Sequence, residues 1–328
     1  MNLIASSLTE RLNGAPLRIG TRTTPLALAQ TERVINALKA IVPGLEVETV
    51  GIKTSADLWT GELAKLGGKG NFTKEIDQQL LAGRIDLAVH SMKDVPGDVP
   101  LPTGTEFGAF LERGDVHDVV IAREGVQIAD LTEGAKIGTS AVRRRAQLHL
   151  WRPDLEIEYI RGGIDARVGK LDAGEYDAIV LARTGLERIG LDDRITEVLP
   201  TMEAAEGRPV IAPAVGAAVI AVQARSADES VMRALAEINH DQTAQLITAE
   251  RMMLHMLQGH CNSPIAGHCH TTLDGKLSLF GMVFNRDGSR WVRAQAWGPA
   301  DDPNTLGAVV AADLLQQGAR RLIASTKK

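Results

Sequence analysis

Alternating strand and helix patterns over the first two thirds of the chain restrict its fold more than any other feature. Residues 17–21 (LRIGT) are apolar and rich in β-formers, and residues 45–52 (LEVETVGI) repeat that pattern. Between them a helical apolar repeat starts at Pro25, with Thr24 as its predicted N-cap. A strand–helix–strand unit favours a parallel sheet. Because the alternation returns between residues 136 and 190, the sequence predicts two α/β domains.

The last third of the chain has a different pattern. Two helical segments (229–239 and 241–258) precede two antiparallel-looking strands (276–284 and 289–297) and a final amphipathic helix. A chain of 328 residues is also too long for one ordinary core. The predicted fold class is α/β, with two α/β domains and a smaller α+β C-terminal domain. The predicted bounds are 15–112 with 212–228 for domain 1, 113–211 for domain 2 and 229–328 for domain 3.

Three segments are expected to lie outside regular structure. The first 14 residues (MNLIASSLTERLNG) have no cationic start followed by an apolar block, and we interpret them as an irregular leader rather than a secretion signal. Residues 61–72 (GELAKLGGKGNF) have no periodicity and predict a mobile loop. Residues 199–216 contain three prolines and are expected to connect two domains.

Charge and cysteine content restrict the partners and the compartment. The formal net charge is -5, which disfavours a general nucleic-acid binder. No run approaches the roughly 18 apolar residues that a membrane span needs, so no membrane partner is expected. Two cysteines in a chain of this length do not make a disulfide framework, and they favour a reducing cytoplasm.

Both cysteines lie in residues 257–270 (LQGHCNSPIAGHCH), among three histidines. Structural zinc sites usually place cysteines two to four residues apart, whereas seven residues separate Cys261 from Cys269. We predict no metal site and favour a histidine-rich surface loop. Nucleotide motifs are also missing, since no G-x-G-x-x-G follows a strand and the glycines near Lys69 lack the rest of a phosphate loop.

Arginines follow three successive predicted strands of the second domain. They are Arg143, Arg144 and Arg145 after the strand that ends in GTS (138–140), Arg161 and Arg167 after the next strand, and Arg183 and Arg188 after the third. Ligands of doubly wound sheets bind off the carboxyl ends of the strands, and helix N-termini attract anions. Arg22 and Thr24 repeat the arrangement in domain 1. We predict a site for a polycarboxylate or phosphate ligand, whose charge compensates the arginine triplet; a solvated basic face is the alternative.

Lys93 and Asp94 follow the predicted strand 86–91 (DLAVHS). Among cations the Asp94 carboxyl should stay ionised, able to stabilise a developing positive charge or to move a proton. The alternative is a Lys–Asp pair that caps a turn.

These segments together resemble the hydroxymethylbilane synthase, or porphobilinogen deaminase, family. The resemblance runs from about Leu17 to about Leu322, nearly the whole chain. Its motifs, in the order and spacing of the family, are TRTTPLALAQ, LGGKGNFTKEID, DLAVHSMKDVP, IGTSAVRR, YIRGG, GEYDAIVLA and LQGHCNSPI.

The resemblance implies a covalent dipyrromethane cofactor, joined by a thioether to Cys261. It implies an enzyme that adds four porphobilinogen units to this primer with loss of ammonia, and then releases hydroxymethylbilane by hydrolysis. Asp94 matches the catalytic aspartate, with Lys93 beside it. The residues that match cofactor- and substrate-binding positions are Arg22, Thr24, Gln30, Lys69, Phe72, Thr139, Ser140, Arg143, Arg144, Arg161, Arg167 and Arg188.

The family fold is similar to the two-domain periplasmic binding proteins, with a third domain that carries the cysteine. A monomer in the cytoplasm is the expectation that the resemblance adds. The chain departs from the family pattern at His260, Ala141 and Ala217-Ala218, where Gly, a hydroxyl residue and Gln-Gly are usual. The alternatives left open are an anion solute-binding protein of the same two-lobed architecture and a metal-dependent hydrolase that uses the His/Cys stretch.

Overall fold

The computed structural model describes residues 3–61, 66, 69–201, 210–259 and 263–325. Its first unit is built on a five-stranded sheet with the order β2-β1-β3-β10-β4. The elements of this unit are α1 (Leu3–Leu12), β1 (Leu17–Arg22), α2 (Pro25–Ile41), β2 (Val47–Ile52), α3 (Ser55–Leu58), α4 (Lys74–Leu81), β3 (Leu87–Ser91), β4 (Thr105–Phe110), β10 (Ile220–Arg225) and α8 (Glu229–Ile238). Strand β1 pairs in parallel with β2 and β3, as the sequence predicts, whereas β10 is antiparallel to both of its neighbours.

Helix α2 shows why the local sequence folds as predicted. The Thr24 hydroxyl accepts from the Ala27 N–H at 3.3 Å, and Pro25 occupies the first turn. Val34 and Leu38, four residues apart, are buried against the sheet. The cap places the N-terminus of α2 directly after β1, at the carboxyl edge of the parallel strands.

The second unit repeats the architecture of the first. Its elements are β5 (Asp118–Ala122), β6 (Lys136–Gly138), α5 (Val142–Trp151), β7 (Glu156–Glu158), α6 (Ile164–Asp172), β8 (Ala178–Ala182), α7 (Arg183–Glu187) and β9 (Glu197–Val198). The sheet order is β7-β6-β8-β5-β9, with β6 parallel to β7 and β8 and with β5 antiparallel to β8. The chain enters this unit through residues 111–117 and returns through residues 199–219, of which 202–209 lie outside the described residues.

The third unit is an antiparallel sheet covered on one face by helices. Its elements are α9 (Asp241–Met256), β11 (Ile265–Thr271), β12 (Leu277–Phe284), β13 (Trp291–Gly298), α10 (Pro303–Gln316) and α11 (Ala319–Ser325). Leu246, Ala249, Met253 and Leu257 recur at helical spacing and are buried in the core of this unit. Gln258, with φ 53°, adopts the left-handed conformation after the helix.

Two predictions are wrong. Cys269 and its flanking histidines lie in strand β11 rather than in a surface loop, and Cys269 is fully buried because the strand turns it toward the core. The interpreted leader contains helix α1, whose Leu8 packs into the core of the first unit. Arg11 fixes this helix through Asp86 at 2.8 Å and Asp228 at 2.6 Å.

The three units correspond to the three predicted domains in number and order, and their bounds stay predictions. Helix α8 begins at the predicted start of domain 3, but Val231 and Leu235 pack in the core of the first unit. No helix of the described part of the chain is long and apolar enough to cross a membrane.

One buried carboxylate joins all three units. Glu250 of α9 accepts from Arg113 Nη1 at 2.6 Å, from the Gly216 N–H at 2.7 Å and from the Cys269 N–H at 2.8 Å. Arg113 also donates to the Ala217 carbonyl at 3.1 Å. Burial raises the pKa of Glu250, but the charge of Arg113 outweighs it and brings the pKa down to about 2. Arg113 lies in the segment that enters the second unit (111–117), and Gly216 lies in the segment that returns from it (199–219). Glu250 of the third unit therefore binds both connecting segments.

Candidate active site

A cavity of about 760 Å³ lies between the first and second units, with part of its wall from the third. The described residues give it eight cationic and three acidic side chains. From the first unit come Arg22, Lys53, Asp57, Lys93 and Asp94, and from the second come Arg143, Arg144, Arg161, Asp165, Arg167 and Lys170. The carboxyl ends of parallel strands meet at one edge of a sheet, and both sheets turn that edge toward the cavity.

Asp94 lies in a single 3₁₀ turn, Met92–Asp94, directly after β3. Its carboxylate is 3.4 Å from Arg22 Nη1, and its side chain is 26% exposed to the cavity. Arg22 stacks over the Phe72 ring at 4.6 Å and donates through Nε to Asp57 at 3.2 Å. Burial lowers the pKa of Arg22, but the hydrogen bond to Asp57 and the charge of Asp94 outweigh it, so the pKa rises. A fixed cation therefore lies beside Asp94, whose side chain stays accessible from the cavity.

Lys93 lies beside Asp94 and has an unusual acidity. Burial lowers the pKa of Lys93 to about 8, since the neighbouring Asp94 charge only partly offsets it and Arg144 adds to it. Gly216, at φ 75° in the segment that returns from the second unit, packs closely against this turn. A Cβ at Gly216 would lie 3.0 Å from the backbone nitrogen of Lys93. The turn that contains Lys93 and Asp94 therefore packs against Gly216, whose N–H is bound by Glu250.

Arg143 and Arg144 form a back row on the second unit. Both are less than one tenth exposed, and both pair with the buried Asp118, at 2.7 Å and 2.6 Å. Burial raises the pKa of Asp118, but the two guanidinium groups outweigh it and hold the pKa far below its usual range. Part of the anion expected beside the arginine triplet is the chain's own Asp118, which compensates one of these charges. Arg145 is exposed on the other side of α5.

Arg161 and Arg167 form a front row nearer the first unit. Arg161 donates to the carbonyls of Ala56 and, at 3.3 Å, Trp59, so it reaches across the cavity to the first unit. Arg167 donates to the Gly162 carbonyl at 2.9 Å. Burial, together with the charges of Arg144 and Arg161, lowers the pKa of Arg167 to about 10. No carboxylate of the described residues lies within 4 Å of either guanidinium group.

The structure brings most of the predicted site residues together. Those that line the cavity are Arg22, Thr24, Gln30, Phe72, Lys93, Asp94, Ser140, Arg143, Arg144, Arg161 and Arg167. The other predicted residues with described positions do not line it. Lys69 pairs with Asp98 at 2.7 Å, Thr139 accepts from the Ala141 N–H at 3.3 Å, and Arg188 donates to the Ala218 carbonyl at 2.7 Å.

Cys261 lies outside the described residues, as do His260 and most of the loop predicted at 61–72. Ser263 and Ile265, which follow Cys261 in the chain, line the cavity. Among the described residues, no group of three or more His, Cys, Asp or Glu side chains is arranged to hold a metal ion.

The sequence analysis missed the acids that organise the cations. Asp57 belongs to a Thr54-x-x-Asp57 capping box, in which it accepts from the Thr54 N–H at 3.1 Å, and that spacing is a signal in the sequence. Asp118 opens the apolar run DVVIA, and a charge at the start of a buried strand could have been marked as needing a partner. Lys53 and Lys170 line the cavity without a motif that singles them out.

The fold and the cavity define a two-lobed α/β protein with a cation-rich cavity between its lobes and a third α+β unit against them. Comparisons with known proteins agree with this class and narrow it. The family models "Porphobilinogen deaminase, dipyromethane cofactor binding domain" and "Porphobilinogen deaminase, C-terminal domain" match residues 17–233 and 244–316. The chain belongs to the porphobilinogen deaminase family.

Individual relatives cover nearly the whole chain. Porphobilinogen deaminase 2 of Streptomyces coelicolor is 48% identical over 307 residues, which cover 94% of this chain and 96% of the relative. Porphobilinogen deaminase of Syntrophobacter fumaroxidans is 43% identical over 308 residues, with the same coverage. Among solved structures, a periplasmic substrate-binding protein from Coxiella burnetii is similar over 68% of this chain and 91% of its own, at 13% identity and a TM-score of 0.40.

Family membership gives the activity. The chain is a transferase that polymerises porphobilinogen on a dipyrromethane cofactor in tetrapyrrole biosynthesis. Its two α/β units are followed by a small three-stranded C-terminal unit. The alternatives of a solute-binding protein and a metal-dependent hydrolase are not retained.

The described residues fit a dipyrromethane group. Such a group carries several carboxylates, and the cavity has eight cations for three acids. Arg144 Nε is buried and has no hydrogen-bond partner among the described residues, and the front-row guanidinium groups lack carboxylate partners. Unsatisfied buried donors that face a shared cavity are the complement of a polycarboxylate.

Proposed function

We propose that Asp94 is the catalytic acid–base group of this transferase. It accepts hydrogen bonds from pyrrole N–H groups and stabilises the positive charge that develops as the substrate amine leaves. One observation supports this proposal most directly. Asp94 is an accessible carboxylate, 3.4 Å from Arg22, in a cavity that is otherwise dominated by cations.

Lys93 has two roles in the proposal. At neutral pH it is mostly protonated and adds a cation beside Asp94. Because its pKa is about 8, it also exchanges a proton readily with the leaving amine.

The arginines hold the acetate and propionate groups of the pyrrole rings. Arg161 and Arg167 are the first contacts, since no carboxylate among the described residues pairs with them and a planar guanidinium binds a carboxylate through two hydrogen bonds. Arg143 and Arg144 share one carboxylate, Asp118, and so retain about one positive charge for the ligand. Arg22, Thr24, Gln30, Phe72 and Ser140 complete the wall. Lys69, Thr139 and Arg188 do not line the cavity, so they contact the ligand only after a movement of the first and second units relative to each other.

Cys261 is the proposed attachment residue. Ser263, two residues after it, lines the same cavity as Asp94 and the arginines, which supports this proposal. The attached dipyrromethane supplies the acceptor ring for the incoming substrate. We further propose that the protein works as a monomer in the cytoplasm, without nucleic-acid or membrane partners. Its charge of -5 supports the absence of nucleic acid.

Intact mass of the purified protein tests the attachment. We expect an excess equal to two condensed pyrrole rings in the parental chain, and a positive Ehrlich colour test on denatured protein. Cys261→Ser is expected to lose both. Cys269→Ala is the matched control, since Cys269 is buried in β11, and it should keep both. An active protein without the added mass would contradict the proposal.

A further inference from the structure

Helix α9 of the third unit forms hydrogen bonds with the loop that follows Asp94. Arg251 donates to the carbonyls of Val95 and Pro96, at 3.5 Å and 3.1 Å. His255, one turn further along the helix, donates through Nδ1 to the Gly97 carbonyl at 3.2 Å. Three successive carbonyls after the catalytic turn are therefore bound by side chains of one helix.

Arg251 keeps this position at an electrostatic cost. Burial alone lowers its pKa to about 10, and no carboxylate of the described residues lies within 4 Å of it. Its guanidinium group also lies over the Phe107 ring, at 5.4 Å from the centroid. A buried guanidinium without an opposite charge is unfavourable unless its hydrogen bonds compensate. The hydrogen bonds from Arg251 to the Val95 and Pro96 carbonyls compensate this burial.

Leu254, between these two residues on α9, lies between two glycines. A Cβ at Gly97 would come within 2.4 Å of Leu254 Cδ2, and a Cβ at Gly259 within 2.3 Å of Leu254 Cδ1. Gly97 belongs to the loop after Asp94, and Gly259 is two residues before Cys261. Leu254 also lines the cavity. One side chain thus fills the whole gap between the backbone of the catalytic loop and the backbone that leads to Cys261.

We propose that Leu254, supported by Arg251 and His255, is a positioning residue that sets the spacing between the Asp94 loop and the Cys261 attachment segment. This rests on the roles proposed for Asp94 and Cys261. A tethered ring reacts only if its reach from residue 261 matches the place of the acid–base group. Because α9 is a single regular helix, its contacts at 251, 254 and 255 hold the loop at 95–97 and Gly259, two residues before Cys261, on one rigid body.

Leu254→Ala tests the spacing, with Leu246→Ala as its matched control. Leu246 is on the same helix but packs in the core of the third unit, away from the cavity. Since a displacement of about 1 Å can reduce a rate about 100-fold, we expect Leu254→Ala to lower kcat at least ~10-fold with KM changed less than ~3-fold. Leu246→Ala should keep kcat within ~2-fold of the parental value while lowering Tm at least as much. Equal losses of kcat in the two variants would overturn the proposal.

A second pair of variants tests the hydrogen bonds from Arg251 to the loop after Asp94, without creating a cavity. Arg251→Met removes the donors and is expected to lower kcat, whereas Arg251→Lys retains a cationic donor and should recover part of it. Holoenzyme content is measured by intact mass in every variant, so kcat refers to loaded protein. A parental kcat in both Leu254→Ala and Arg251→Met would refute the positioning role.

Two further variants separate this proposal from the one it rests on. If Asp94→Asn and Cys261→Ser are inactive while Leu254→Ala is fully active, only the positioning role fails. If Asp94→Asn or Cys261→Ser keeps the parental activity, the proposed site itself fails.

Discussion

Arg22 on the first unit and Arg144 on the second are both guanidinium groups at the cavity, but their carboxylate partners lie in different places. Arg22 pairs with Asp57 and Asp94, which themselves line the cavity. Arg144 pairs with Asp118, which is buried behind it. The first unit thus brings three cations and two acids to the ligand, and the second brings five cations and one acid. In the proposed mechanism, the first wall transfers protons and the second binds negative charge.

Asp94→Asn gives the largest expected effect and tests the first wall. Because general acid–base groups contribute about 10²–10⁴-fold, we expect kcat to fall by at least ~100-fold. Folding should be unaffected, since the 3.4 Å pair with Arg22 is partly solvated. The measurement is kcat and Tm on loaded enzyme. Asp165→Asn on the second wall is the control, and an equal loss there would remove the distinction between the walls.

Arg144→Leu tests the back row of the second wall. Arg144→Leu removes buried hydrogen bonds to Asp118 and to the Val180 carbonyl, while Arg143 still balances the Asp118 charge, so the free energy of unfolding should fall by about 1.5–3 kcal/mol. Denaturant unfolding measures this loss. Asp118→Asn added to Arg144→Leu should lower stability further, because Arg143 then loses its buried carboxylate partner. An unchanged unfolding midpoint in Arg144→Leu would show that Asp118 does not depend on it.

Arg167→Leu tests the front row. A hydrogen bond to a charged group contributes about 1.5–3 kcal/mol, so KM for porphobilinogen should rise at least ~10-fold. Stability should change by less than ~1 kcal/mol because the side chain is only partly buried and has no ion pair to break. If Arg167→Leu instead destabilises as much as Arg144→Leu, the two rows do not differ in function.

Lys93 gives the first wall a pH dependence that the second lacks. Burial lowers its pKa to about 8, against about 10 for Arg167, so kcat/KM should change as pH rises through 8. Lys93→Met should lose that step. The folded pKa is below the unfolded value, so burying the charged amine destabilises the fold below pH 8, and this effect disappears as pH rises toward 10.5. Lys93→Met should therefore raise Tm at pH 7 more than at pH 10; the opposite order would contradict the assigned burial.

Ala218→Gly gives the smallest effect and concerns the joint between the walls. Ala218 has φ 65°, and its carbonyl accepts from Arg188 of the second unit at 2.7 Å. A left-handed alanine is strained, whereas glycine adopts this conformation freely. We expect a gain of about 0.5–1 kcal/mol, seen as a Tm rise of a few degrees. Ala217→Gly is the control, since Ala217 does not have a positive φ and should lose stability.

The sequence predicted those features that depend on local pattern and on the polarity of parallel strands. Thr24 and Pro25 specify the start of α2 by themselves, and arginines at successive strand ends had to meet at one sheet edge. The charge partner of Arg143 and Arg144 was not predictable in this way. Asp118 reaches them because β5 is inserted antiparallel beside β8, which depends on how the chain returns between units.

Two misses had a signal that was not used. Ala5, Leu8 and Leu12 recur at helical spacing within the interpreted leader. In IAGHCHT the buried Cys269 alternates with two histidines on the other face of β11, a period of two that the metal-like composition hid. The bond from Arg188 to Ala218, by contrast, depends on tertiary packing that no local pattern records.

Glu250 has a mechanical consequence. Its carboxylate accepts from both passages of chain that connect the lobes, while the helix that bears it also holds the loop after Asp94. If Asp94 and Cys261 have the roles proposed above, the loop after Asp94 and the backbone at Gly259 that leads to Cys261 are both held by this one helix. In that mechanism, room for added rings comes from movement of the arginine-bearing unit, without a change in the spacing on which the chemistry depends.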